Sequence, residues 1–214
     1  MNSGLKPTPK VIALWQGQAD GINPILARTQ RYWSSLRQDA KPPARADLRP
    51  DGLGDALRHA FLIDRVRPGA LRFRLAGQHL SRLMGMDVRG MPLRAFFEIR
   101  DRKLLMEKAE QMFEDPATLL LQLVSDAQGR ALLQGQMHLL PLRGASGLVD
   151  CALGVLATDG PVGLPPRRFR IRHAALSPLA LRTTTRPPVE TGMAEPATRH
   201  TGRPSLMVIA GGRD

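Results

Sequence analysis

Five histidines, at positions 59, 79, 138, 173 and 200, and a single cysteine, Cys151, are the side chains of this 214-residue chain best suited to bind a metal or act as a nucleophile. A helical metal site needs two imidazoles three or four residues apart, so that both leave one face. No pair of these histidines has that spacing, and we expect no metal. A thiol nucleophile needs a neighbouring base or cation to hold it as thiolate. Cys151 lies instead in LVDCALGVLAT, in step with Val149, Leu153 and Val155 on the apolar face of a strand. An unpaired cysteine there behaves as a small hydrophobe. A nucleophile elbow, a phosphate loop, a dinucleotide glycine fingerprint and an H-E-x-x-H helix are all missing, which excludes the common hydrolase, nucleotide-binding and zinc-protease signatures. The expectation is a protein that is not an enzyme.

One cysteine permits no internal disulfide and fits a reducing compartment. The only apolar run near the N-terminus is Val11 to Trp15, too short for a signal-peptide core, and nowhere do about 18 apolar residues run together. We therefore expect a cytoplasmic protein with no transmembrane segment. The net charge of +12 draws the chain to polyanions in general. Beyond Gly160 nine arginines face three acidic residues, so half of that charge sits in the last quarter.

The elements that would position these residues follow from pattern. Asn23 before Pro24 is a helix start, an N-cap with proline at the first helical position. Ile25, Thr29, Tyr32 or Trp33, and Leu36 recur at steps of three and four, giving an N-terminal amphipathic helix that Lys41-Pro42-Pro43 cannot continue. From Ala60, AFLIDRV and ALRFRLAG flank Arg67-Pro68-Gly69-Ala70, which reads as a hairpin with a type II turn. In the second strand Leu71, Phe73 and Leu75 are expected on one face and Arg72 and Arg74 on the other. QHLSRLMG is a short helix stopped by Gly85, and Leu105, Ala109, Met112 and Phe113 make the stripe of a longer helix at 99–114. Three long β runs close the domain: ATLLLQLVSDAQG, RALLQGQMHLLPL and LVDCALGVLAT. This order predicts an α+β domain with helices across one face of an antiparallel sheet. We divide the chain into a flexible N-terminus at 1–22, a helix and arm at 23–50, a core at 51–160 and a basic tail rich in proline and arginine at 161–214. The tail composition predicts disorder from about 176 to 203. Two islands within it, RRFRIRHAAL at 167–176 and SLMVIA at 205–210, have enough apolar character to dock on the body or a partner.

With this order of elements, Tyr32-Trp33 with Leu36-Arg37, the arm residues Pro43, Arg45, Asp47 and Pro50, and Arg72-Phe73-Arg74-Leu75-Ala76-Gly77 mark a resemblance. So do Met84 through Gly90, and Leu139-Leu140-Pro141-Leu142 followed by Leu153-Gly154. Over roughly residues 28–157 the chain resembles a PAS domain, specifically a family of short, single-domain bacterial proteins. The resemblance implies a PAS-like five-stranded antiparallel sheet with helices on one face, used as a sensory or regulatory signal-transduction module acting through protein–protein interaction. It leaves the cofactor unknown, with none as the default. PAS domains hold haem, flavin, a small metabolite or nothing.

A ligand pocket, if the domain has one, would be lined by Phe73, Leu75, Met84, Phe97, Leu105 and Met137. His79 and His138 are the residues that could ligate a haem, although His138 shares strand parity with Gln134 and Gln136 and reads as polar-face. Light-sensing PAS domains carry a reactive cysteine in a helical Asn-Cys-Arg-type motif, which is not found here. The helix with Ile25, Tyr32, Trp33 and Leu36 cannot bury its stripe alone. It must pack on its own sheet or on the same helix of a second copy, which would make a homodimer. The arm with Arg45, Asp47 and Arg49 reads as a strap over the body. A regulatory protein partner is the first expectation. Nucleic acid bound through the arginine-rich tail is the alternative, with anionic membrane at RRFRIR a third.

Overall fold

The computed structural model describes residues 22–39, 41–126 and 131–179. Asn23 caps helix α1 (Pro24–Ser35), its side-chain oxygen accepting from the Ile25 N–H at 2.9 Å. The buried stripe is Leu26, Thr29 and Trp33. Ile25, Tyr32 and Leu36, which the spacing placed on it, are only half-buried beside it. Thr29 returns its hydroxyl to the Ile25 carbonyl one turn back at 2.9 Å, so a buried polar group stays satisfied. The chain then passes as a strap through Pro42 and Pro43, whose carbonyls accept from Arg143 at 2.8 and 2.9 Å. It continues through a 3-10 turn at Arg45–Asp47, helix α2 (Pro50–Leu53) and a second 3-10 turn at Gly54–His59.

Strands β1 (Ala60–Arg67) and β2 (Ala70–Ala76) form the expected hairpin, with Gly69 at φ 74° supplying the positive φ that its turn requires. Helix α3 (Gln78–Met84) ends at Gly85 in the left-handed conformation. Helix α4 (Arg102–Glu114), entered through a 3-10 turn at Ile99–Asp101, buries Leu105, Ala109, Met112 and Phe113, the stripe read from the sequence. Strands β3 (Ala117–Ser125), β4 (Leu133–Arg143) and β5 (Val149–Asp159) complete the five that were expected. A sixth strand, β6 (Arg170–Pro178), pairs with β3. The sheet is antiparallel throughout, in the order β2-β1-β5-β4-β3-β6.

Helices α3 and α4 cover one face of this sheet. Strand parity sorts Ala152 and Leu156 of β5, and Leu133, Met137 and Leu139 of β4, into the main core beneath them. Cys151 and Leu153, with Leu140 and Leu142, face the other way and meet Trp33 and Leu53. Val155 and Ala157 meet Leu26. The central strands are thus buried on both sides, which is why β4 and β5 read as near-continuous apolar runs rather than strict alternation. Of the two roles open to α1, the structure takes packing on its own sheet. The indole N–H of Trp33 donates to the Pro141 carbonyl at 2.9 Å.

The segment whose charge and proline content set it apart as a tail is part of the fold as far as Leu179. Phe169 is fully buried in the main core. The buried Arg167 guanidinium donates to the Ser125 and Ala131 carbonyls at 2.9 and 2.8 Å, tying the start of this segment to the end of β3. The first island therefore docks on the body, and its Ile171, Ala174 and Leu176 pack against the core. Residues 1–21, the second island 205–210 and nearly all of the 176–203 stretch lie outside the described residues. Among the described residues no helix is long and apolar enough to cross a membrane.

Candidate functional site

Five of the six residues expected around a pocket do converge. Phe73, Met84, Phe97, Leu105 and Met137 are buried together in the main core between the sheet and α3–α4. A chain of aromatic rings runs beside them. Phe61 lies 5.2 Å from Phe73, and Phe73 lies 5.1 Å from Phe96, ring centre to ring centre. Gly154 makes room for this aromatic chain, since a Cβ there would fall 2.1 Å from the Phe61 ring.

Leu75 departs from the other five. Its strand neighbour Leu62 pairs with it directly, but Ile63 pairs with Phe73, so Arg74 is an extra residue bulged into β2. A bulge reverses the side-chain parity beyond it. Leu75 therefore points to the outer face and is 55% exposed, while Leu71 and Phe73 remain inside.

On that outer face Leu75 lines an open groove of about 790 Å³. Its walls are Leu48 from the arm, Leu53 and Leu57 from α2 and the 3-10 turn after it, and Leu62 and Leu153 from the sheet, with Arg45, Arg49 and Arg89 on its rim. Leu57 is 46% exposed. Helix α1 covers only the β4–β5 part of this face, so the β1–β2 part is left open. The arm is a strap, as read, but it also forms one wall of this groove. Arg45 is held near Asp64 at 3.6 Å, and Arg89 pairs with Asp87, which holds that carboxyl below its usual range.

The histidines are dispersed. His138 lies on the α1 side of the sheet, in step with Leu140 and Leu142, and is 3% exposed with no hydrogen-bond partner for Nδ1. Burial pushes its pKa down to about 4. It shares parity with Gln134 and Gln136, as read, but α1 roofs that face and makes it interior. His59 and His79, twenty residues apart in sequence, come together with ring centres 4.5 Å apart, a pairing that helical spacing could not reveal. His59 Nδ1 donates to the Leu156 carbonyl at 3.2 Å, and His79 Nε2 lies 3.1 Å from the Thr158 hydroxyl. Burial lowers both pKa values, His79 to about 4, and the adjoining Arg58 and Arg82 lower them further. His173 is exposed on β6, and His200 lies outside the described residues. Among the described residues no three His, Cys, Asp or Glu side chains cluster as a metal site would require.

Cys151 faces Trp33 and Leu53, on the opposite side of the sheet from Phe73 and Met137. Burial, then the neighbouring Asp150, pushes its thiol up to about 12. The thiolate needed for nucleophilic attack is thus suppressed. These residues do not fit a flavin adduct or an axial haem ligand in the sheet–helix interior: the thiol and His138 face the other side, and His79 is engaged by Thr158. Native Cys151 is expected to resist alkylation by iodoacetamide at pH 8 and to be labelled at the rate of global unfolding. Labelling faster than unfolding, followed by mass spectrometry, would contradict this burial.

Among known families, the PAS domain matches residues 23–157. No curated protein matches the chain. Among solved structures, a light-oxygen-voltage domain studied with a flavin analogue is 20% identical at a TM-score of 0.41, covering 51% of this chain and 83% of that one. The LOV protein of Rhodobacter sphaeroides is 14% identical at a TM-score of 0.39, covering 64% of this chain and 70% of its own. The PAS-B domain of Cycle from Drosophila melanogaster is 15% identical at 0.36, covering 46% and 99%.

Proposed function

The chain belongs to the PAS domain family, which makes it a sensory or regulatory protein, and from that premise we propose that it is a non-enzymatic cytoplasmic module whose output is contact with a protein partner at the open outer face of β1–β2. The observation that supports this reading is the contrast between the two sides of the hairpin. On the inner side Phe61, Phe73, Phe96, Met84 and Met137 are buried in the core, whereas the outer side presents the leucine-walled groove with Leu57 and Leu75 accessible. A contiguous exposed apolar patch of this kind marks an interaction site more often than an isolated exposed leucine does. A second copy of the chain is as good an occupant of such a face as another protein, and a homodimer formed there would leave the Trp33 stripe on its own sheet.

Photo-crosslinking tests the proposal. With Leu75→p-benzoylphenylalanine in the full chain expressed in its native cells, irradiation should give one discrete protein adduct that Leu57→Glu abolishes. An adduct at twice the mass of the chain identifies a second copy. No adduct would overturn the assignment of this face. With Phe61, Phe73 and Phe96 in ring-to-ring contact on the inner side, we expect a purified protein without visible absorbance, and a retained chromophore would move the site back between sheet and helices.

A further inference from the structure

Strand β6 ends the sheet, with β3 on one side of it. On its other edge, the backbone around Phe96 and Glu98 pairs with Phe169: the Phe169 N–H donates to Phe96 at 2.8 Å, and the Glu98 N–H donates to Phe169 at 3.0 Å. Beyond that point, from Arg170 to Pro178, no backbone group of the described residues pairs with this edge. At its covered start lies an open cavity of about 560 Å³ lined by Glu98, Ile99, Arg100, Arg102 and Arg168. Arg100 is the arginine the local carboxylates engage, Glu98 at 3.0 Å and Asp101 at 4.0 Å, which leaves Arg102 and Arg168 without a carboxylate partner among the described residues. Arg168 and, further along β6, Arg172 are exposed and have no ion pair or hydrogen bond among the described residues. Ile99 stands 81% exposed beside them.

We propose that the free edge of β6 and the arginine-lined cavity at its start form one docking surface for an extended, acidic peptide segment of a partner protein. An unpaired edge offers a ladder of backbone donors and acceptors to an incoming strand, and side-chain pockets beside it supply the specificity. Here those pockets are cationic. A carboxylate placed among Arg100, Arg102 and Arg168 gains charge-assisted hydrogen bonds. A second copy of β6 would bring its own Arg168 and Arg172 against the same charges, so self-pairing is disfavoured where an acidic strand is favoured. The surface lies at the opposite end of the sheet from the β1–β2 groove and does not depend on what binds there.

Fluorescence anisotropy with the full chain tests it, using a fluorescein-labelled peptide of alternating glutamate and valine as long as β6, 9 residues. The peptide should bind, hydrogen exchange should slow at the amides of residues 171–177, and Arg168→Glu should weaken binding about tenfold. Replacing two internal valines of the peptide by proline, which removes backbone donors, should cost at least as much. Equal binding of the proline peptide would overturn the proposal, because attraction would then be charge alone. So would an unchanged affinity in Arg168→Glu, displacement of the peptide by oligothymidylate without protection of β6, or protection of β6 that grows with protein concentration in the absence of peptide. The last two outcomes would assign the arginines to nucleic acid and the edge to a second copy, respectively.

Discussion

Trp33→Ala should cost about 3–5 kcal/mol of folding stability, read as a fall in the urea midpoint at constant slope. Trp33 is 1% exposed and is the largest side chain of the cluster that joins α1 to β4 and β5. Truncating it leaves a cavity among Leu140, Leu142, Leu153 and Leu53, and it also leaves the Pro141 carbonyl without its 2.9 Å donor. The loss is a sizeable part of the roughly 5–15 kcal/mol that holds a domain together. Trp33→Phe separates the two contributions, since it keeps most of the apolar volume and removes the N–H. It should cost about 1–3 kcal/mol, the range for a buried polar group left unpartnered. Light scattering should show the oligomeric state of either folded variant unchanged, because the indole is spent inside the chain. A variant that stayed as stable as the parent but lost self-association would instead place Trp33 at an interface between copies.

This role for Trp33 was only half legible in the sequence, and the reason is general. Local chemistry specified the start of α1, because capping and proline at the first position act within a few residues. It specified the α4 stripe and the αL stop at Gly85 for the same reason. An amphipathic stripe, however, states that a helix must be covered and not by what. The partner of Trp33 lies more than a hundred residues away, at Pro141.

Leu75 and β6 show two further limits. Strict alternation predicts Leu75 inward, and one bulged residue, Arg74, reverses it. Nothing in RFRLA announces that bulge, since its cause is the pairing of β2 with β1. Composition read residues 167–178 together with the arginine- and proline-rich sequence after them, yet RFRIRHAAL carries Phe169, Ile171, Ala174 and Leu176 at positions that meet the core. A window average hides an edge strand whose outer residues are arginines, and charged residues are what an exposed edge requires. Likewise His59, just before β1, and His79, at the start of α3, meet because the β1–β2 hairpin brings its two ends together, a contact that no helical period encodes.

The second large effect concerns His138 and acid. Its pKa falls from 6.5 to about 4 because burial disfavours the imidazolium. Above pH 6.5 the ring is neutral in both folded and unfolded chains and contributes no pH dependence. Between 6.5 and about 4 the unfolded chain binds a proton that the folded one refuses, so stability falls as pH falls, and at the lower end the loss from this one group reaches at most about 3 kcal/mol. His79 and His59 act in the same direction, and the carboxylates contribute their own acid dependence. The difference between parent and His138→Leu isolates the ring. Leucine roughly conserves the volume and removes an Nδ1 that has no partner, so the variant should be no less stable at pH 7.5 and progressively more stable than the parent below pH 6. Urea midpoints measured across this range check it. Parallel curves would mean that His138 titrates alike in both states, which requires water or an anion to reach it beneath α1. A parent that gained stability relative to the variant in acid would mean that the imidazolium has a buried partner, and α1 would then cover a charge rather than seal a neutral ring between itself and the sheet.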